Sequence, residues 1–231
     1  MLVLIDGDIV AYRASYSTES STPEDAIDKA DELIEEILSA TTFDGECFEV
    51  FLTGSGNFRY DIEDTYKANR SDKERPVHLG AIRDHLVENW GAVVSSGEEA
   101  DDLIAIRATE LGPNAVIASV DKDFLQVPCK HYNTRTKETK EVTEEEGLKF
   151  FYSQILTGDR ADNVIGLYRV GPVKAEKILS ECHSERDMFE TCVEAYDGDI
   201  EKVIRNARLL WLRREVGQVW HPPEQDSDSQ P

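Results

Sequence analysis

Two short apolar runs, Leu2–Ile5 and Ala115–Val120, constrain the fold more than any other feature of this sequence. Each is too short for a helix and lacks the alternation of a half-solvated strand. Both therefore predict strands covered on both faces, as in the parallel sheet of an α/β protein. Each runs into paired acids, Asp6-Gly7-Asp8 after the first and Asp121-Lys122-Asp123 after the second. Open α/β sheets place their ligands beyond the carboxyl ends of the strands. The repeated order of strand, acid, one residue, acid thus marks a candidate site.

A third acidic cluster lies in Gly97-Glu98-Glu99-Ala100-Asp101-Asp102-Leu103. With a helix beginning at Glu99, Asp102 lies one turn on and Asp101 is close beside it, so one helix end presents several carboxylates. Such charges repel unless the helix N-terminus, and more effectively a divalent cation, supplies positive potential. Alone, this is an acidic first turn matched to the helix dipole. Together with two acid-ended strands at one sheet edge, it is hard to explain by folding, because crowded carboxylates lower stability when no cation is present.

Helices are predicted over residues 23–38, 79–90 and 99–110, with Thr22 capping and Pro23 opening the first. Further strands are predicted at 47–52 and 92–94, and an edge hairpin at 129–133 and 138–142. Thr143 caps the next helix, which carries the apolar residues Phe150, Phe151, Tyr152, Ile155 and Leu156. Helices follow at 187–196 and 200–211, and the polar end is expected to be disordered. The N-terminus reaches an acid after five residues, so neither a signal peptide nor a membrane span is expected.

The formal charge of -22 argues against a broadly basic nucleic-acid surface. Local basic clusters qualify that. Arg59, Lys67, Arg70, Lys73 and Arg75, interleaved with Tyr60 and Tyr66, form the densest basic run of the N-terminal half. Arg205, Arg208, Arg213 and Arg214 either extend a phosphate track or are solvated. In Leu167-Tyr168-Arg169-Val170-Gly171-Pro172-Val173-Lys174, continuing to Lys177, a helix-hairpin-helix signature brings backbone N–H groups and Lys174 and Lys177 to a phosphate without reading bases. Just before it, Asp159 and Asp162 are spaced to share one side of a helical turn.

The four cysteines show no CxxC pair and the five histidines no ligand spacing. Oxygen-liganded Mg²⁺ or Mn²⁺ is therefore favoured over Zn²⁺. Asp6, Glu99, Asp101 and Asp121 are candidates for one ion, and Asp123, Asp159 and Asp162 for a second. Two ions about 4 Å apart suit phosphodiester hydrolysis, with Lys67 or Arg70 neutralising charge on the scissile phosphate. A phosphatase with Asp6 as covalent nucleophile and a non-catalytic DNA-binding protein are the competing readings.

The motifs Tyr66-Lys-Ala-Asn-Arg70, Glu99-Ala-Asp-Asp102, Asp121-Lys-Asp-Phe-Leu125 and Gly158-Asp through Asp162-Asn to Val170-Gly-Pro172 follow one another in this order. In them the chain resembles the 5'-3' exonuclease and flap endonuclease family, which includes small phage enzymes and the 5' nuclease domain of bacterial DNA polymerase I. The resemblance covers roughly residues 1 to 180. It implies a PIN-like α/β domain with a mostly parallel central sheet (1–150) joined to a helical domain with a helix-three-turn-helix motif (151–220), and the polar composition of 221–231 adds a disordered tail. It implies that Asp6, Glu99, Asp101, Asp102, Asp121, Asp123, Asp159 and Asp162 form the metal set for two Mg²⁺ or Mn²⁺ ions. Lys67 and Arg70 become the catalytic basic residues. DNA binding falls to Arg59, Tyr66, Arg169, Gly171, Lys174 and Lys177, with K⁺ at the hairpin formed by Val164, Leu167 and Val170. The expected partner is DNA with duplex and 5' single-strand or nicked junctions, with RNA–DNA hybrids as a further substrate. A monomer is expected, inside a bacterial or phage-infected cell. Two departures stand out. Thr53-Gly54-Ser55-Gly56 occupies the loop where many relatives carry an aspartate, and the stretch around 71–76 is short for a helical arch.

Overall fold

The computed structural model describes residues 1–41, 47–70 and 74–224. Lys73, the first half of the stretch considered for an arch (71–73 of 71–76), and the expected disordered tail from 225 onward lie outside the described residues. The elements follow as β1 (Leu2–Asp6), α1 (Gly7–Ser17), α2 (Pro23–Thr41), β2 (Phe48–Ser55), α3 (Arg59–Ile62), α4 (Leu79–Trp90), β3 (Val93–Ser96) and α5 (Ala100–Leu111). Then come β4 (Ala115–Ser119), β5 (Lys130–Asn133), β6 (Thr139–Glu141), α6 (Glu144–Thr157), β7 (Gly158–Asp159), β8 (Val164–Ile165), α7 (Pro172–Ile178), α8 (Glu185–Ala195) and α9 (Ile200–Leu210). The described residues form two compact units: 1–41, 47–58, 74–144 and 212–217 in the first, and 59–70, 145–211 and 218–224 in the second.

The first unit is built on a six-stranded sheet in the order β3-β2-β1-β4-β5-β6. All neighbours pair in parallel except β5 and β6, whose antiparallel hairpin closes the edge as the turn residues Thr134–Lys137 predict. Successive strand residues point to opposite faces, and the core divides accordingly. Val3, Ile5, Val50, Leu52, Val116 and Ala118 pack with α1, α2 and α4 on one side. Leu4, Phe51, Ala115 and Ile117 pack with α5 on the other, together with Phe124 and Leu212. Burial on both faces is why β1 and β4 are apolar up to their last residues.

Local chemistry starts the helices where expected. Thr22 Oγ1 accepts from the Asp25 N–H at 3.2 Å, while the Thr22 N–H donates to the Asp25 carboxylate at 3.1 Å, a reciprocal cap that opens α2. Gly7 is required by close approach: a Cβ there would lie 2.6 Å from the Phe51 carbonyl oxygen. That absence of a side chain lets α1 leave β1 directly across β2.

In the second unit α6, α8 and α9 enclose a separate core, with Phe151, Tyr152, Ile155, Cys192, Val203 and Ala207 all fully buried. Between α6 and α7 the chain forms a tight antiparallel hairpin, β7 with β8. A helical turn carrying Asp159 and Asp162 is expected here, and the structure corrects that reading. Gly158 has φ +69, and a Cβ on it would meet the Gly166 nitrogen at 2.3 Å, so the glycine pair permits a strand crossing that no helix could follow. Gly171 then caps the short α7, with Pro172 in its first turn. The chain is thus an α/β unit with a largely parallel sheet, followed along the sequence by a helical region of helix-hairpin-helix character. No helix among the described residues is long and apolar enough to cross a membrane.

Candidate active site

Strand order alone locates a site in the first unit. The order reverses at β1, whose neighbours β2 and β4 lead in opposite directions through the sheet. The carboxyl ends at such a reversal open a crevice. Asp6 closes β1 there and Ser119 closes β4.

Asp6 is almost completely buried, at 3% exposure. As N-cap of α1 its Oδ1 accepts the Ile9 N–H at 3.1 Å, and its Oδ2 accepts the Ser119 hydroxyl at 2.7 Å. Ser119 Oγ in turn accepts the Asp121 N–H at 3.0 Å, and the Asp121 carboxylate accepts the Asp123 N–H at 2.9 Å. One hydroxyl thus joins the Asp6 carboxylate to the backbone of the turn that follows β4. Burial, with the charges of Asp8 and Asp121 adding to it, pushes the Asp6 carboxyl up to about 7 against the opposing hydrogen bonds from Ser119 and Ile9.

Beside it, Thr53 joins four elements. Its N–H donates to Asp8 Oδ2 at 2.9 Å, its hydroxyl accepts the Ala100 N–H at 3.0 Å, and its carbonyl accepts from Arg83, which also pairs with the Asp8 carboxylate. Thr53, read from the sequence as the start of a loop, lies within β2 and ties that strand to the start of α5, and an Asp8–Arg83 ion pair adds a charge-compensated carboxylate. Asp8 stands in the sequence two residues after Asp6. Arg83, in mid-helix, carries no sequence signal.

The α5 cluster forms as the acidic helix start predicts. Glu99 is the N-cap in a capping box with Asp102, whose Oδ2 accepts the Glu99 N–H at 3.2 Å. Asp102 is fully buried and its Oδ1 accepts the Arg213 N–H at 3.2 Å. Asp101, Asp121 and Asp123 are half-buried. The donor set is carboxylate oxygen throughout, and the charges of Asp8 and Asp121 add to the burial that raises the Asp6 carboxyl. Both suit a hard divalent cation. Among the described residues, no three His, Cys, Asp or Glu side chains are gathered into a ready-made ion cage.

In the second unit the Tyr66–Arg70 segment is joined to the hairpin. Asp162 accepts from the Tyr66 hydroxyl at 2.8 Å and from Arg70 at 2.6 Å, with Lys67 Nζ 3.5 Å away. Lys67 adopts φ 54, outside the usual range for a side-chain-bearing residue, and its N–H donates to the Asp162 carbonyl at 2.9 Å. Asp159 is buried and accepts the Ala161 and Asp162 N–H groups at 2.6 and 3.3 Å, which makes the turn. Val164, Leu167, Val170 and Gly171 line a surface cavity of about 610 Å³. Arg169, with its guanidinium 5.0 Å from the Tyr168 ring, and Lys174 and Lys177 are exposed.

Four basic or aromatic side chains take other places than expected. Arg59, read as a DNA contact, is 1% exposed and donates to the carbonyls of Leu209 and Trp211 at 2.9 and 2.7 Å. It caps the end of α9, where unsatisfied carbonyls favour a cation. Tyr66, also read as a DNA contact, is 2% exposed and turned to Asp162. Arg213 pairs with Glu98, and Arg214 donates to the Leu212 and Gln126 carbonyls at 2.8 and 2.9 Å, so neither forms a phosphate track.

A carboxylate-lined switch point in a parallel α/β sheet defines a class of proteins that handle charged ligands at the strand ends. The model of the 5'-3' exonuclease, N-terminal resolvase-like domain, matches residues 1–153. The chain belongs to the 5'-3' exonuclease and flap endonuclease family. It is 33% identical over 176 residues to DNA polymerase I of Rhizobium leguminosarum, covering 70% of this chain and 17% of that protein. With the flap endonuclease Xni of Shewanella piezotolerans it shares 27% identity over 179 residues, 71% of this chain and 69% of the relative. The chain therefore spans only about a sixth of that polymerase. In fold it matches the bacteriophage T5 D15 flap endonuclease, solved with DNA and metal ions, at a TM-score of 0.71 with 16% identity, covering 90% of this chain and 88% of that one. The T5 5'-exonuclease solved with zinc matches at 0.69 with 19% identity and the same coverage.

Proposed function

We propose that this protein is a metal-dependent 5' nuclease that hydrolyses phosphodiester bonds from 5' ends of duplex DNA and at flap or nick junctions, with RNA in hybrids as a further substrate. In this reading the first unit is PIN-like and the hairpin region of the second is a helix-three-turn-helix. The observation that carries the proposal is at the sheet switch point, where the Asp6 carboxylate and the backbone N–H of Asp121 share the Ser119 hydroxyl and Thr53 ties Asp8 to the acidic start of α5.

Asp6, Glu99, Asp101, Asp121 and Asp123 are proposed to hold Mg²⁺ or Mn²⁺, with Asp102 in the same set as the anchor of the helix turn. Asp159 and Asp162 are the proposed metal residues of the second unit. Bound divalent ions would supply an activated water and offset charge on the phosphate. The residues themselves supply order. Ser119 holds the Asp6 carboxylate in one orientation, and Thr53 ties the first N–H of α5 to β2. Lys67 and Arg70 are the proposed phosphate contacts, held by Asp162 in a fixed arrangement that lowers the entropy lost on binding. Val164, Leu167 and Val170 are proposed to frame a K⁺ site.

A phosphatase using Asp6 as nucleophile fares worse. Both oxygens of Asp6 accept hydrogen bonds, from the Ile9 N–H and the Ser119 hydroxyl, so neither is directed at a substrate.

The test is cleavage of 5'-labelled flap, nicked, blunt and hybrid substrates. Cleavage with Mg²⁺ or Mn²⁺ and its loss on chelation are expected. Wild-type protein inert on the whole panel with both metals would refute the proposal. Replacing exposed Lys174 and Lys177 together by Ala should weaken DNA binding about equally on unrelated sequences and reduce the salt slope by about 2, one for each phosphate contact. Losses that differ between sequences would contradict a backbone contact.

A further inference from the structure

The short segment 212–217 belongs to the first unit although it lies more than a hundred residues after α5 in sequence. Leu212 is buried in the core against Leu4, Phe51 and Ile104, and its N–H donates to the Gln126 side chain at 3.2 Å. This anchors the next residue, Arg213, in three ways. Its guanidinium donates to Glu98 Oε2 at 2.8 Å, with both side chains only about a tenth exposed, at 11% and 10%. The same guanidinium lies 3.6 Å from the centre of the Phe58 ring. Its backbone N–H donates to Asp102 Oδ1 at 3.2 Å. Glu98 and Asp102 bracket Glu99 and Asp101.

Resting on the nuclease reading, we infer that Arg213 is a positioning residue for metal binding, fixing both ends of the Glu98–Asp102 turn so that Glu99 and Asp101 are presented at one spacing. Its planar fork and its stack on Phe58 define an orientation that a flexible ammonium would not. Its charge acts in the opposite sense. A guanidinium near carboxylates repels a cation, so by Coulomb's law alone its removal would tighten metal binding. Positioning predicts the reverse, because groups that orient ligating carboxylates contribute roughly tenfold or more to metal affinity. The sign of the change therefore separates the two effects.

The experiment compares wild type, Arg213→Met and Arg213→Lys as full-length proteins. Calorimetric titration with Mn²⁺ is read alongside the Mg²⁺ concentration giving half-maximal cleavage and DNA binding without metal. Arg213→Met, which keeps an unbranched stem but neither the charge nor the donors, should weaken Mn²⁺ binding and raise the Mg²⁺ requirement, each by about tenfold. DNA binding and the rate at saturating Mg²⁺ should stay near wild type, and Arg213→Lys should fall in between. Unchanged or tighter Mn²⁺ binding in folded Arg213→Met overturns the inference. If circular dichroism shows that this variant does not fold, Arg213→Lys decides, with roughly threefold weaker binding expected and wild-type affinity overturning. Wild type that binds Mn²⁺ but cleaves nothing overturns the nuclease reading alone, and the calorimetric comparison still decides the role of Arg213.

Discussion

Asp6→Asn should abolish cleavage and at the same time make the metal-free protein more resistant to heat at pH 8. Cleavage is expected to fall by at least about 10³-fold, equivalent to roughly 4 kcal/mol of transition-state stabilisation. The amide keeps an oxygen for the Ile9 N–H and can donate to Ser119 Oγ, so the cap of α1 survives. The stability change follows from the raised pKa. In the unfolded chain Asp6 ionises near 3.8, and in the fold near 7. The fold therefore favours the protonated carboxyl. That favourable contribution is fully present below about pH 4 and is lost as the pH rises through 7, and at pH 8 the buried carboxylate costs about 2–4 kcal/mol. Removing the charge should return about 2 kcal/mol, or roughly 4–8 °C in Tm. Saturating Mg²⁺ should raise the Tm of wild type and leave the variant unmoved. Scanning calorimetry with and without Mg²⁺ checks both statements. A lower metal-free Tm in Asp6→Asn would reduce Asp6 to a helix cap.

Arg59→Ala should destabilise the second unit by about 3–5 kcal/mol, because it leaves buried carbonyls of Leu209 and Trp211 without their donors and opens a large void. Arg59→Lys should recover little, since an ammonium cannot span two carbonyls as the guanidinium fork does. Urea unfolding followed through Trp211 and Trp220 fluorescence reports on this unit. Where Arg59→Ala is still folded, its DNA affinity should match wild type. A specific loss of affinity with unchanged urea midpoint would restore Arg59 to the DNA interface.

Both predictions turn on residues whose types were visible in the sequence but whose surroundings were not. The strands at Leu2 and Ala115, the capped helix at Pro23 and the edge hairpin were legible because each follows from local pattern. So were the acids at the ends of β1 and β4, since strand length sets where a strand stops. Arg59 misled because a basic residue next to aromatic residues has the same local signature whether it meets phosphate or the end of a helix 150 residues later. Asp159 and Asp162 misled in another way. Their spacing fits a helical turn, and what excludes one is the approach of Gly158 to Gly166, a steric fact of the hairpin.

The sequence by itself determined the class of fold, the family and the acids that mark the sheet edge. Those depend on residue period, strand termini and ordered motifs, which local physics can read. Tertiary structure alone decided how those acids are held: Ser119 between Asp6 and Asp121, Arg83 on Asp8, Thr53 on the start of α5 and Arg213 on the Glu98–Asp102 turn. These pairings join residues separated by up to more than a hundred positions. Burial strengthens each of them, and burial is a property of the folded chain that no local spacing records.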